Sequence, residues 1–420
     1  MSEGTFRGGV HPYEGKDLSK ELPIKDVMPG KILVFPMAQH IGAPANPVVA
    51  RGDRVLTGQK IGEAAGFISA NICSSVSGTV KAVEPRMVLN GSKVNCVVIE
   101  NDGEYEPVPG LGQERDFRKL SRQEILDIVK EAGVVGMGGA GFPTHVKLAP
   151  KEPDKIDSIL VNGAECEPYL TSDYRQMIEN SDEIVQGLEV MLSLFDHARG
   201  MICIEDNKPE AIRVMKEAVQ GHPNMEVKIL KTKYPQGGER TLIYAATGRK
   251  IYSAKLPADA GCIVDNISTV IAIYRAVCRT TPLMTRVVTL TGEAFNTPVN
   301  VRVCLGCSHA ELVDEADGFK QEPVKVISGG PMMGFSMFDL DVPVTKTSSS
   351  ILAMLEDAVA KYDISPCIRC GRCVSVCPSN LVPQKMAVAA MNHDYDAFVK
   401  LNGMECYECG SCTYICPARR

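Results

Sequence analysis

The chain has 420 residues, a formal net charge of −6 and sixteen cysteines. That length accommodates several domains, each with its own core, and mild acidity without a basic block or aromatic–basic interleaving argues against nucleic acid as a partner. No apolar run reaches membrane-spanning length (the longest, around Val270 to Val277, contains Arg275), and no export signal is read, so the expectation is a soluble or peripherally held chain with reduced thiols in the cytoplasm.

Residues 5–16, TFRGGVHPYEGK, are loop chemistry punctuated by Gly and Pro, with a lone His11 read as structural. From Gly52 short β-branched runs alternate with Gly turns, which predicts a small all-β barrel or sandwich. V-x-x-G-Q-x-I-G leading to S-x-V-S-G-x-V resembles the lipoyl and biotinyl carrier fold. The carrier Lys is missing near the hairpin tip, where Ala70 and Asn71 stand, so a scaffold role is expected. A further strand is predicted over 94–100, and 102–116 reads as a linker.

Ser121 with Glu124 forms a capping box opening an amphipathic helix that presents Ile125, Ile128, Val129 and Ala132 on one face and ends at Gly133. GVVGMGGAGFPTHVKL follows. Gly136, Gly138 and Gly141 match G-x-G-x-x-G, but that fingerprint belongs after a strand and this one follows a helix. Clustered glycines still leave backbone N–H groups bare for a flat ring or a phosphate. A buried strand over 156–161 ends in NGAECEPYLTSDYR, and polar groups at the carboxyl end of a strand are where open α/β sheets bind ligands. Glu165 and Glu167 flank Cys166. Strands over 200–205 and 225–231 around a helix at 209–220 predict a parallel sheet. Gly237 and Gly238, at the next helix N-terminus, suit an anionic phosphate. Asp265 and Asn266 are read as opening the helix through Cys278.

From Val287 the chain is β-rich again, with a short helix over 309–315 and a strand over 324–328, suggesting a β-grasp module. Cys304 and Cys307 form a lone C-x₂-C beside His309, read as buried small side chains rather than a further metal or redox site. An apolar-periodic helix is predicted over 351–361. The end of the chain reads CIRCGRCVSVCP and then CYECGSCTYICP, each C-x₂-C-x₂-C-x₃-C-P, the run of ferredoxins with two [4Fe–4S] clusters. Zinc favours paired C-x₂-C knuckles, and disulfides require an exported chain. By the crossing rule of such runs, Cys367, Cys370, Cys373 and Cys416 hold one cluster, and Cys406, Cys409, Cys412 and Cys377 the other.

GGAGFPT, NGAECEP, YPQGGER and DNIST, in that order, resemble the flavin- and NADH-binding subunit of complex I. With FRGGVHP, ISGGPMMGF and CIRCGRCVSVCP added, the whole chain resembles the C subunits of the Rnf electron-transport complexes. The resemblance implies non-covalent FMN, NAD(H) stacked on it and two [4Fe–4S] clusters. It places Gly136, Gly138, Lys147, Asn162, Glu165, Gly238 and Asn266 at flavin-contact positions, with Gly139 and Gly237 in the same glycine segments. Phe142, Glu167 and Glu239 fall at nicotinamide-nucleotide positions. The complex I pattern has Arg at Met137, Asp at Ala164 and Ser at Cys166. The implied architecture is a barrel-sandwich domain over 1–116, a Rossmann-like FMN/NADH domain with a parallel sheet over 117–283, a β-grasp module over 284–350 and a helical two-cluster ferredoxin domain over 351–420. The implied function is a peripheral redox subunit at the cytoplasmic face of a membrane ferredoxin:NAD⁺ oxidoreductase. It would be coupled to Na⁺ or H⁺ transport through the integral membrane subunits and the ferredoxin-like B subunit of the complex. Hydride exchange between two bound rings requires no acid or base, so no catalytic side chain is expected. The alternatives are a soluble cobalamin reductase of related architecture and an electron-carrier scaffold without a nucleotide site.

Overall fold

A computed structural model describes residues 3–420. Near the N-terminus, Ile32–Pro36, Lys93–Asn101, Gly78–Met87 and Arg54–Val55 form an antiparallel sheet, accompanied by the short strands Asn46–Pro47, Lys60–Glu63 and Ile72–Cys73. Leu33, Phe35, Val55, Ile61, Ile72 and Ile99 are buried in its core. The tip between Lys60–Glu63 and Ile72–Cys73 does not swing free. The fully buried Lys346 donates to Asn71 O and, at 2.7 Å, to Gly133 O, tying the tip to the end of the capped helix. The stretch 102–116, read as a linker, is stitched to the barrel: Thr57 N donates to Glu106 O at 2.8 Å and Val108 N to Thr57 O at 2.9 Å.

Ser121 caps the Arg122–Glu131 helix with the reciprocal Glu124 bond, as the sequence predicts. The central sheet is wholly parallel, in the order Met225–Leu230, Arg199–Glu205, Ser158–Gly163, Cys262–Asn266. Ile159 and Val161 join the core of helices Ser181–Leu192 and Ile267–Arg279, while Leu160 joins that of helix Glu239–Thr247. Burial on both faces explains why the strand reads as a continuous apolar run. Each such side chain contributes about 1.5–3 kcal/mol. Cys262–Asn266 corrects the sequence reading, which merged Asp265 with the following helix. Asn266 is the N-cap, but Asp265 lies in the strand. A five-residue strand ending in Asp-Asn gives the same local signal as a helix cap.

The third sheet is mixed: Lys25–Asp26, Val299–Cys304, Thr285–Thr291, Ser350–Met354, Lys325–Ser328 and Phe335–Met337. Ser350–Met354 overturns the helix expected over 351–361. Ile351, Leu352 and Ala353 are all buried in mid-sheet, and a short apolar run with both faces covered carries no period to separate strand from helix. The division expected at 350/351 therefore cuts a strand, and Lys25–Asp26 carries the first segment into the same sheet. Cys304 Sγ lies 3.9 Å from Ser75 O, and His309 Nδ1 lies 2.7 Å from Val342 O.

The C-terminal segment is helical and duplicated. Arg369 and Glu408 share φ near 57° and 55°, and Gly371 and Gly410 share φ near 76° and 75°, each pair preceding the helices Arg372–Val376 and Ser411–Tyr414. Among the described residues no helix is long and apolar enough to cross a membrane.

Candidate functional site

The central strand order changes direction beside Ser158–Gly163, which lies between Arg199–Glu205 and Cys262–Asn266, and the carboxyl ends of Ser158–Gly163 and Cys262–Asn266 lie side by side at that point. Asn162 and Asn266 are register partners at that edge. The glycine loop closes over it. Gly136 N donates to Phe142 O at 2.8 Å, and Met137 N donates to Thr269 Oγ1 at 3.0 Å. A Cβ on Gly138 would lie 2.9 Å from Asn266 Cβ, whereas one on Gly139 would meet nothing within 4 Å. Gly138 thus permits the close approach of loop to strand, and Gly139 faces open space.

Across the crevice, Asn162 Nδ2 donates to Gly237 O at 2.9 Å and Gly237 N donates to Cys166 Sγ at 3.2 Å. Gly238 is the N-cap of helix Glu239–Thr247 and offers no side-chain cap. Lys147 Nζ reaches Val264 O at 2.7 Å and Asp265 Oδ1 at 3.3 Å. Burial opposes the lysine's charge, but Asp265 and Glu239 more than offset it and its pKa is raised. Asn266 accepts from Ser268 N and donates to Asp173 Oδ2 at 2.7 Å.

The two glutamates, which an extended backbone would put on one face, meet different partners because the chain turns at Glu165. Glu165, at φ 47°, accepts from Asp173 N at 2.7 Å and Tyr174 N at 3.3 Å, so its carboxylate is engaged by the start of helix Ser172–Glu179. Glu167 Oε2 accepts from Met332 N at 3.2 Å, and its Oε1 is buried without a partner. Burial raises both carboxyls to about 7, with Lys16 opposing the rise in each. The ion pairs conceivable for Glu167 are used elsewhere: Lys147 faces Asp265, and Arg175 pairs with Glu179 at 2.6 Å.

Sequence reasoning missed Lys16. Its buried ammonium donates to Glu165 O at 2.9 Å, Glu167 O at 3.0 Å and Leu170 O at 2.7 Å, fixing the NGAECEPYL turn from below. Its one signal was its place at the end of the glycine-punctuated segment. The same segment reaches the cysteine-rich end. Gly9 N donates to Val376 O at 2.8 Å, and a Cβ on Gly8 would lie 2.7 Å from Val376 O and 2.9 Å from Cys377 O. Tyr234 is buried there. Its phenol pKa is raised by that burial and then by Glu167, Cys166 and Cys409, and its backbone pairs with Val10 on the same N-terminal segment. Glu405 fastens the junction, accepting from Ser253 N at 2.9 Å and Ser253 Oγ at 2.8 Å, with Arg240 at 3.5 Å.

Cys367, Cys370, Cys373, Cys412 and Cys416 line one cavity of about 220 Å³. Three of these thiols come from the first run and two from the second, so the cavity brings the two runs together. Burial pushes the Cys377 thiol up, and Cys409 and Cys406 add to the rise. A thiol-lined cavity of that size fits an iron–sulfur cluster. The open glycine loop and the unpartnered Glu167 Oε1 fit a nucleotide-like cofactor in the crevice.

Three family models match the chain: the Nuo51 FMN-binding domain over 129–275, the RnfC barrel sandwich hybrid domain over 4–104 and the 4Fe-4S dicluster domain over 360–417. The chain is 47% identical over 392 residues to the C subunit of the proton-translocating ferredoxin:NAD⁺ oxidoreductase complex of Clostridium ljungdahlii, covering 93% of this chain and 85% of that protein. It is 42% identical to the C subunit of the Na⁺-translocating complex of Acetobacterium woodii, covering 94% and 89%. Against the C subunit of the ion-translocating oxidoreductase complex of Vibrio cholerae it is 39% identical, covering 94% of this chain and 52% of that one. An NAD⁺-reducing [NiFe]-hydrogenase shares the fold, with a TM-score of 0.51, 16% identity and coverage of 71% and 60%. Identity at this level along nearly the whole length, with an FMN-binding and an iron–sulfur domain in order, means that the chain belongs to the RnfC family, the C subunits of ion-translocating ferredoxin:NAD⁺ oxidoreductase (Rnf) complexes.

Proposed function

We propose that this chain is the peripheral subunit at which a membrane ferredoxin:NAD⁺ oxidoreductase exchanges electrons with NAD(H), held at the cytoplasmic face by its partner subunits. The observation that carries the reading is the continuity from crevice to cysteines: Gly237 N donates to Cys166 Sγ, Val10 N to Tyr234 O, and the adjoining Gly9 N to Val376 O beside Cys377. When bound, FMN supplies the conversion between a two-electron hydride and single electrons that iron–sulfur clusters accept.

The chain's own residues bind and orient. Gly136, Gly138 and Gly139 present backbone to the flavin, with Asn162 and Asn266 on the strands, Lys147 at the end of the short helix after the glycine loop, and Gly237 and Gly238 at a helix N-terminus suited to a phosphate. Lys147 adds positive charge on that side. Glu165 acts through the backbone, holding helix Ser172–Glu179 against the NGAECEP turn. Glu167, with Phe142 and Glu239, faces the nicotinamide nucleotide, and its free Oε1 accepts a donor from it. The mixed sheet serves as the β-grasp module and brings Met332 to Glu167.

Two [4Fe–4S] clusters follow. The set Cys406, Cys409, Cys412 and Cys377 adjoins the flavin domain through Gly8, Tyr234 and Glu405. The set Cys367, Cys370, Cys373 and Cys416 lies farther out. Anaerobic purification with iron, sulfide and flavin quantified is the test, and about one flavin with roughly eight irons per chain is expected. Titration with NADH should then bleach the flavin and reduce the clusters. Clusters without flavin, or a bound flavin that NADH does not reduce, would refute the reading.

A further inference from the structure

The chain passes from helix Ile267–Arg279 to strand Thr285–Thr291 through a short loop, which joins the parallel sheet's last helix to the mixed sheet. A cavity of about 80 Å³ lies at that junction, a common place for a ligand site. Its lining runs from the partly exposed Thr281 and Pro282 to buried Met137 of the glycine loop. Arg275 and Arg286 contribute to the wall, and no carboxylate does. Arg275 gives Nε and Nη2 to Glu183. Arg286 is only 4% exposed and forms no ion pair among the described residues. Its Nε donates to Ser348 O at 3.0 Å, its Nη2 reaches Met137 O only at 3.5 Å, and its Nη1 is buried without a partner. Asp173, whose charge bears on Arg286, is turned to Asn266 at 2.7 Å and Ser268 at 3.4 Å. Burial pulls the guanidinium down to about 10, with Asp173 opposing, so it stays charged at neutral pH. A buried cation short of partners is costly, and its complement is an anion. Much of the remaining wall is apolar, from Ile271, Ala272, Leu283 and Val287.

We infer that this cavity binds a small aliphatic monocarboxylate, whose carboxylate takes the Nη1–Nη2 side of Arg286 and whose alkyl end lies against Ile271, Ala272 and Leu283. A guanidinium fork matches a carboxylate in geometry as well as charge. Size narrows the class. A water takes about 30 Å³ of liquid, so the cavity has the volume of roughly two or three waters, that of acetate or propionate and far below that of a nucleotide. A halide or phosphate would set a strongly hydrated ion against the apolar wall, whereas a carboxylate with an alkyl end suits both halves. The site goes beyond the proposed function and touches it only through Met137, whose N is held by Thr269 Oγ1 at 3.0 Å and whose O faces Arg286. Flavin and carboxylate are therefore expected to be held together, on opposite sides of the glycine loop.

The test is saturation-transfer NMR with acetate and propionate as probes, on the full chain purified anaerobically, in potassium chloride at matched ionic strength. Both acids should bind, and propionate about fourfold more tightly, the worth of one more buried methylene. Arg286→Gln should weaken both roughly tenfold by removing the charged fork. Ala272→Leu, which adds bulk to the wall and keeps every charge, should weaken propionate more than acetate. Arg51→Gln, at an exposed arginine of the N-terminal β unit, is the control and should change neither. Far-UV circular dichroism identifies folded variants, and Arg286→Lys or Ala272→Val replaces one that does not fold. Absence of binding by the parent, displacement by chloride, equal affinity for the two acids, or unchanged binding in either cavity variant overturns the inference. So does equal weakening by the control, which marks a net-charge effect. Release of FMN in step with carboxylate binding also overturns it, because the anion would then occupy the flavin's phosphate position. If the carboxylates bind as expected while NADH fails to reduce the flavin, the proposed function falls and this site stands.

Discussion

Glu167 carries two separable consequences. Its Oε1 is buried without a partner, and burial lifts its carboxyl from an ordinary 4.5 to about 7. Between those values the folded chain holds a proton that the unfolded chain releases. The group's contribution to stability is therefore complete below 4.5 and lost as pH rises through 7. Glu167→Gln should remove that loss, raising the stability of the nucleotide-free protein by about 1–3 kcal/mol at about pH 8 and by little at about pH 4. Denaturant unfolding at the two pH values checks the sign. Glu167→Ala should weaken NADH binding about ten- to a hundredfold, the worth of a hydrogen bond to a charged acceptor, with FMN retained. Flavin content and NADH affinity on one preparation test this, and loss of both together would reassign Glu167 to the fold. Lys16 makes the opposite kind of prediction. Lys16→Met leaves the carbonyls of Glu165, Glu167 and Leu170 without their donor, so a stability loss of about 2–5 kcal/mol with reduced flavin retention is expected. An unaltered unfolding midpoint would show that water replaces the ammonium.

The segment from Gly4 to Lys16 is the element that joins the parts. It pairs with Leu230 and Tyr234, takes Lys233 onto the carbonyl of Gly8 at 3.2 Å and touches the backbone of Val376 and Cys377. Gly8→Ala drives a methyl into those carbonyls at φ 82°. Gly103→Ala imposes a similar φ of 77° with nothing within 4 Å, so it carries the backbone cost alone, about 1–2 kcal/mol. Hydrogen exchange over 367–420 should rise in the Gly8 variant and not in the control, and electron transfer from NADH-reduced flavin to the clusters should slow with it. Equal exchange in both variants would mean that the segment only covers the junction. The tip between Lys60–Glu63 and Ile72–Cys73 is a second element whose role follows from contacts. Held by Lys346 at Asn71, it is a fixed strut, in accord with the absence of a carrier lysine from the sequence.

At the scale of the molecule the proposed function implies an order: the crevice, then the cysteine set joined to it through the N-terminal segment, then the other set. Under the crossed assignment, Cys377→Ser should disturb the cluster proposed on Cys406, Cys409 and Cys412, because Cys377 does not line the cavity of Cys367, Cys370, Cys373 and Cys416. EPR of the reduced protein distinguishes the two, and damage confined to the Cys367 set would rule out the crossing. With no helix able to cross a membrane among the described residues, the chain should leave membranes on washing with salt or on loss of its partners, without detergent. Retention until detergent is added would contradict peripheral attachment.

The sequence by itself determined the chemistry wherever ligand geometry is local. The C-x₂-C-x₂-C-x₃-C-P runs name their metal group because three corners of a cube lie within one loop's reach. The capping box at Ser121, the βαβ alternation and the glycine loop were legible for the same reason, since turns and periodicity are properties of neighbours in the chain. What only the tertiary structure decided involves partners far apart in sequence. The order of the parallel strands makes Asn162 and Asn266 adjacent, and neither strand encodes that order. The Ser350–Met354 strand owes its form to burial between Thr285–Thr291 and Lys325–Ser328, which overrode the helical reading of the same apolar residues. Lys16 looked like a surface lysine at the end of a loop. Its role appears only when the loop is folded under the NGAECEP turn, because a buried ammonium needs carbonyls that its own segment cannot supply.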